Sequence, residues 1–270
     1  MNLPKPLLAH APEIWDTAMI VAYRGSIAHG MYMPSIDPNS IDDKDLMAVC
    51  IPPLDHFFGL KQFGSRGTKE VMFEEWDIVA YEIRKFIGLL EKGNPNVLSL
   101  LYLRPMDYIH KDHVADLLIK YREMFVGKHV YHSFAGYAHG QLHRMTHGAF
   151  KGFMGAKRKG LVEKYGYDTK NAAHLIRLLR MAIEYLGDGK LRVFRDDAPE
   201  LLKIKCGEWT LEKVQAEASR LFKLAEEAYV RSPLPPTPDY DAINGLCSDL
   251  VLERFFPLQK AMRAAAGLGQ

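Results

Sequence analysis

The period of the apolar positions changes near the middle of the chain. Up to about residue 112, short apolar runs alternate with stretches of helical spacing. Met19-Ile-Val-Ala-Tyr23 is a β-rich run that ends at Arg24-Gly25-Ser26, as a strand entering a turn does. Asp45-Leu-Met-Ala-Val-Cys-Ile51 reads as a second strand, stopped by Pro52-Pro53. Phe73 to Ile83 alternates as a third and places Glu75, Asp77, Val79 and Tyr81 on one face. Phe86, Ile87, Leu89 and Leu90 then follow at helical spacing, and Gly93-Asn-Pro-Asn96 breaks the chain before Val97 to Tyr102.

Beyond residue 113 the strand signals fade. Helical spacing covers roughly 114–123, 129–148, 169–187, 210–230 and 241–264. Gly187-Asp-Gly189 closes the third of these, and Ser232-Pro-Leu-Pro-Pro-Thr-Pro-Asp239 is a stiff extended connector. The pattern predicts an α+β protein, with a small mixed-sheet domain over 1–112 and an α-helical domain over 113–270.

Composition narrows the class. Hydrophobic residues make up 48% and charged residues 25%, which excludes a disordered chain. Cys50, Cys206 and Cys247 are too far apart for a CxxC zinc knuckle and suit a reducing compartment. No apolar stretch approaches the roughly 18 residues a membrane span needs, and the N-terminus lacks a signal-peptide pattern. A cytoplasmic protein with no membrane partner is expected. The net charge of +2 is unevenly spread. Residues 1–127 carry 13 Lys and Arg against 17 Asp and Glu, whereas residues 128–177 carry 9 against 2 and six of the eleven histidines. Such a division suits a protein that holds cations with one part and polyanions with the other, although a basic solvated face would look the same.

Three features of the first half combine. Gly25-Ser26 directly after a strand lets backbone N–H groups approach an anion while the hydroxyl adds a donor. Asp43-Lys44-Asp45 opens a strand, and a period of two puts both carboxylates on one side with Cα atoms ~6.6 Å apart. That pair is either an acidic loop open to water or a site for Mg²⁺, a hard cation that keeps waters and phosphates as its other ligands. Asp77 lies in the apolar Trp76-Asp-Ile-Val79, where a carboxylate without compensation is costly to bury. Glu75 on the same face and Glu82 on the opposite one are the other candidates for a third carboxylate.

The ordered set resembles the DNA polymerase β-type nucleotidyltransferase superfamily. Gly25-Ser-Ile-Ala-His-Gly30, Ser40 to Val49, Asp77 to Phe86 and Lys92-Gly-Asn-Pro-Asn-Val97 are similar to the RNA-ligase-associated (YcgL/RlaP-like) nucleotidyltransferases. Tyr167 to Leu179 and Ser232 to Asp239 extend the likeness, which spans about residues 20–245. The interval from Ser26 to Asp43 is about six residues longer than usual, with Ile36-Asp-Pro-Asn-Ser40 inserted, so Asp42 is an alternative to Asp43 in the register.

The resemblance implies a polymerase β-like first domain and a helical domain that completes the nucleotide site. It also implies two Mg²⁺ (or Mn²⁺) on the catalytic Asp43, Asp45 and Asp77. An NTP, ATP by default, would have its phosphates on Gly25 and Ser26. Lys170, His174 and Arg177 fall at i, i+4 and i+7 on one helix face, a row of cations that becomes favourable opposite a triphosphate. A solvated basic face is the plain alternative, and the resemblance places this helix at the site. Tyr137, Gln141 and Arg144 form a similar row that is best read as interhelical packing. Lys151 and Lys157-Arg158-Lys159, read as part of a Gly-rich loop, are the candidate acceptor-binding patch. The expected reaction is metal-dependent NMP transfer to an acceptor hydroxyl, an RNA end above others, with release of pyrophosphate. A protein side chain or small molecule as acceptor, and a catalytically silent nucleotide- or RNA-binding module, are the competing readings.

Overall fold

The computed structural model describes residues 3–34, 42–147 and 156–256. Five strands, β1 (Ala18–Tyr23), β2 (Lys44–Cys50), β3 (Thr68–Phe73), β4 (Trp76–Glu82) and β5 (Tyr108–Lys111), form one mixed sheet in the order β3-β4-β2-β1-β5. β2 and β4 run parallel, and the remaining pairs are antiparallel. The continuous apolar run of β1 is what a central strand covered on both faces requires.

On one face, Val21, Leu46, Ala48, Ile78 and Ala80 pack against α1 (Lys5–His10) and α2 (Pro12–Trp15) through Leu7, Ile14 and Trp15. A one-turn helix, α3 (Gly25–Ala28), follows β1 immediately. The other face carries Ala22, Met47, Val49 and Val79 beneath α4 (Ile83–Glu91), α5 (Pro95–Ser99) and α6 (His113–Lys120). This core continues without a break into Phe134 of α7 (Val130–His147), Leu178 and Tyr185 of α9 (Thr169–Asp188), and Ile243 of α12 (Tyr240–Phe255). A second cluster binds α7 and α9 to α10 (Ala198–Lys205) and α11 (Leu211–Arg231) around Leu175, Leu179, Leu201, Ile204 and Leu221.

α9 is the central helix. Its N-cap Asp168 accepts from the Asn171 N–H at 3.0 Å, and it stops at Gly189, whose φ of 71° is the left-handed conformation that glycine adopts without strain. Arg180 on its outer side pairs with Asp197, Glu200 and Glu217, tying it to α10 and α11.

The α+β class expected from the pattern is the observed one. Two local expectations need correction. The strand expected over 73–83 is observed as β4 but starts only at Trp76, because Glu74 takes a positive φ of 53° and turns the chain between β3 and β4. No Gly or Asn marks that turn, so alternation reads straight through it. Lys157, Arg158 and Lys159 do not lie in a loop but in the first turns of α8 (Ala156–Tyr165), a helix whose near-uniform polarity hid it from periodicity. Lys151, the Ile36–Ser40 insertion and the expected helical residues beyond 256 lie outside the described residues.

Candidate active site

A cavity of about 330 Å³ opens where the C-terminal end of β1, the start of β2 and β4, and the N-terminal half of α9 meet. It brings together every residue singled out above for metal and nucleotide: Gly25, Ser26, Asp43, Asp45, Asp77, Lys170, His174 and Arg177. The carboxylates form one wall and the cationic face of α9 the other. Exposed Lys159 does not line it.

The carboxylate wall is made by strand register. Asp45 and Asp77 are direct partners across the parallel β2–β4 ladder, which sets neighbouring side chains on one face about 4.8 Å apart. Burial pushes the Asp45 carboxyl up to about 6, and the nearby Asp77 and Asp43 charges push the same way. Arg24 opposes them. Its Nη2 lies 3.1 Å from Asp77 Oδ2 and 3.7 Å from Asp45 Oδ1, while its Nε donates to the Leu46 carbonyl at 3.1 Å. Arg24 was not singled out from sequence, yet its place one residue before Gly25-Ser26, at the end of a strand bordering β2, is where such a counter-charge would be sought.

The other carboxylates are engaged elsewhere. Glu75 belongs to the hairpin turn and pairs with Lys44 at 2.6 Å. Glu82 caps α4, accepting from Arg84 N and Nε at 3.0 Å each. Asp42 is buried and also lines the cavity, but it is committed to partners of its own. It accepts from the Met33 N–H at 3.0 Å, pairs with Lys205 of α10, and has Lys170 at 3.5 Å from Oδ1.

Gly25 makes the close approach possible. Its φ is +60°, and a Cβ there would overlap the Asp45 carboxylate. Gly25→Ala is therefore expected to cost about 1–2 kcal/mol from the left-handed backbone alone, with further loss as Asp45 is displaced. Thermal melting and NTP binding would read this, and a variant matching wild type in both would disprove the close-packing argument.

On the opposite wall, Arg177 is buried, and its Nη1 contacts His29 Nε2 and lies 3.6 Å from Met181 Sδ. His29 Nδ1 lies 2.8 Å from the Val193 carbonyl, which can only accept. Nδ1 thus carries the proton, and Nε2 is the acceptor for the guanidinium. Burial, with the Arg177 charge beside it, holds the imidazole well below its ordinary pKa, in keeping with this neutral tautomer. Burial, aided by Arg195, lowers Arg177 itself to about 9. Among the described residues no carboxylate pairs with Arg177. A buried cation bonded to a neutral partner at a cavity wall favours an incoming anion. His29 is the second residue that sequence inspection passed over, since its role depends on α9, 148 residues away.

No three His, Cys, Asp or Glu side chains among the described residues form a ready-made cage for one metal ion. The donor chemistry nonetheless fits Mg²⁺, which takes one or two carboxylates and fills its octahedron with waters and substrate phosphates. Hard oxygens, mutual repulsion between Asp45 and Asp77, and an anion-favouring wall opposite are the conditions for it. Tyr137, the lead residue of the second row, accepts from Asn94 Nδ2 at 2.9 Å and packs α7 against the start of α5, while Gln141 is buried. Among the described residues no helix is long and apolar enough to cross a membrane.

No curated protein matches the chain. The family model described as RNA repair pathway DNA polymerase beta family, RlaP, matches residues 19–249, from β1 to within α12, and takes in both walls of the cavity. A sheet-borne carboxylate pair facing a Gly-Ser turn and a cationic helix agrees with that match, and the chain belongs to this family of polymerase β-like nucleotidyltransferases of RNA repair.

Proposed function

We propose that the protein is a metal-dependent nucleotidyltransferase that moves an NMP from an NTP, with ATP the first candidate, to a hydroxyl at an RNA end. The observation that carries this reading is the opposition, across one cavity, of the register-paired Asp45 and Asp77 and the Lys170, His174 and Arg177 face. Lys170 and Arg177 hold the triphosphate by charge-assisted hydrogen bonds, and Ser26 adds a hydroxyl donor. His29 fixes the Arg177 guanidinium, so its orientation is set before substrate arrives.

Asp43, Asp45 and Asp77 are the residues that would hold Mg²⁺ or Mn²⁺, which supplies Lewis-acid neutralisation of the phosphates and acidifies the attacking hydroxyl. The acceptor oxygen forms a bond to the α-phosphorus as the bond to the bridging oxygen breaks. Pyrophosphate leaves along the α9 wall. The hydroxyl proton passes to the Asp77 carboxylate.

The test is pyrophosphate release with each of the four NTPs, Mg²⁺ or Mn²⁺, and RNA bearing defined ends, using α-labelled NTP. Label in RNA that disappears in Asp45→Asn is the expected result. Label in the protein would instead favour a side-chain acceptor. NTP binding without pyrophosphate release would overturn the enzymatic reading in favour of a silent nucleotide-binding module.

A further inference from the structure

The active-site cavity does not end at the carboxylates. A second cavity, of about 190 Å³, shares Arg24, Asp77 and Asn96 with the first and continues outward over the sheet, past Val79 to Glu70 and Tyr81. The register explains this continuity. Asp77, Val79 and Tyr81 alternate onto one face of β4, and their β3 partners on that face are Met72, Glu70 and Thr68. Helices cover the same face over β1 and β2, yet at this edge Met72 is 64% exposed beside Asp77.

We propose that this second cavity receives the terminal nucleoside of a single-stranded RNA acceptor, its ribose at Asp77 and Glu70 and its base against Tyr81, with exposed Met72 at the rim on the same face. The proposal rests on the reaction read above and adds to it the place and the chemical form of the acceptor. In-line displacement requires the attacking oxygen opposite the leaving pyrophosphate. With the phosphates held by Lys170 and Arg177, the acceptor enters from beyond Asp77, where this cavity lies. An exposed Met and a half-buried Tyr give a base the apolar and aromatic surface that stacking uses irrespective of sequence. The polar groups select the end. The Glu70 and Asp77 carboxylates accept hydrogen bonds from ribose hydroxyls, and the Asn96 amide can donate or accept. A terminal phosphate would bring about −1.5 to −2 of charge against those carboxylates. The end received here is therefore one with free terminal hydroxyls.

The test uses a 12-nucleotide RNA labelled with fluorescein at its 5′ end, with either a free 3′-hydroxyl or a 3′-phosphate. Binding is followed by anisotropy in Mg²⁺ without NTP, and affinity for a fluorescent NTP analogue is measured in parallel. Met72→Glu, at a site too exposed to threaten folding, and Tyr81→Ala are each expected to weaken the hydroxyl-ended RNA by about tenfold. NTP affinity should stay within about twofold, with Tyr81→Phe close to wild type as stacking predicts. Glu70→Gln should narrow the preference for the hydroxyl end. A 4-thiouridine at the 3′ terminus should crosslink within residues 70–81. RNA binding unchanged in both Met72→Glu and Tyr81→Ala, crosslinking to α8, or no RNA binding by wild type would overturn the proposal. If the crosslink falls within 70–81 but no NTP supports transfer, the reaction reading fails while the acceptor pocket stands.

Discussion

Asp45→Asn is expected to lose NMP transfer by a factor on the order of 10² to 10³, the scale seen when one preorganised electrostatic group at a reacting centre is removed. The same change is expected to make the folded protein more stable at neutral pH. Asp45 is stationed where its charge is disfavoured, since burial and the neighbouring Asp77 and Asp43 raise its carboxyl from 3.8 to about 6. A carboxyl whose folded pKa lies above its unfolded value destabilises the native state once it ionises. The penalty is full above about pH 6, shrinks as pH falls from there, and is gone below 3.8. At about 1.4 kcal/mol per unit, moderated by partial exposure, removing it is worth about 1–3 kcal/mol. Arg24 keeps its 3.1 Å contact with Asp77 and its bond to the Leu46 carbonyl, so the variant does not orphan the guanidinium. Melting temperatures at pH 8 and pH 5 would check this. The variant should melt several degrees above wild type at pH 8, with a smaller gain at pH 5. An inactive variant melting below wild type at both values would show that Asp45 is a structural residue.

Lys205→Ala is expected to be the most damaging single change to stability. Asp42 and Lys205 are buried in one ion pair, their side chains 1% and 3% exposed. Lys205 Nζ also donates to the Met31 carbonyl at 3.0 Å, and Thr169 donates to the Lys205 carbonyl at 2.8 Å. One pair thus joins the segment preceding β2 to α10 and the first turn of α9. Burial lowers the Lys205 pKa while Asp42 opposes the shift, so the ammonium depends on its partner. Removing the amine leaves a dry carboxylate with only the Met33 N–H at 3.0 Å and Lys170 at 3.5 Å to offset its charge, and breaking a buried pair in this way costs about 3–5 kcal/mol. Asp42→Asn/Lys205→Met replaces both charges at similar volume and is expected to recover most of that loss, because a buried pair is worth far less than either charge alone is costly. Chemical denaturation of Asp42→Asn, Lys205→Met and the double variant gives the coupling directly. Additive losses would show that the two charges do not act as a joint.

Both predictions concern acidic residues three positions apart, and they show where inspection of the chain reaches its limit. The Asp43/Asp45 alternation and the lone Asp77 in an apolar strand were visible because period two and the cost of burying charge are local facts. The i, i+4, i+7 row of Lys170, His174 and Arg177 was visible for the same reason, as helical geometry fixes which side chains share a face. Asp42 remained an alternative to Asp43 on spacing alone. Its partner is 163 residues away, and no pattern near either residue announces the bond. Glu75 was placed on the face of Asp77 because the alternation runs on through the turn before β4.

Local periodicity and residue chemistry by themselves determined the α+β class, the strands that carry the carboxylates and the helix that carries the cations, and the order of the motifs carried the resemblance to nucleotidyltransferases. Tertiary structure alone decided that Asp45 meets Asp77 in register, that Arg24 lies between them, that His29 holds Arg177, and that the sheet stays open beyond Asp77 at Glu70 and Tyr81. The physical reason is range. Periodicity reports which side of its own element a residue faces, whereas a site made where β1, β2, β4 and α9 converge depends on packing between segments more than 100 residues apart.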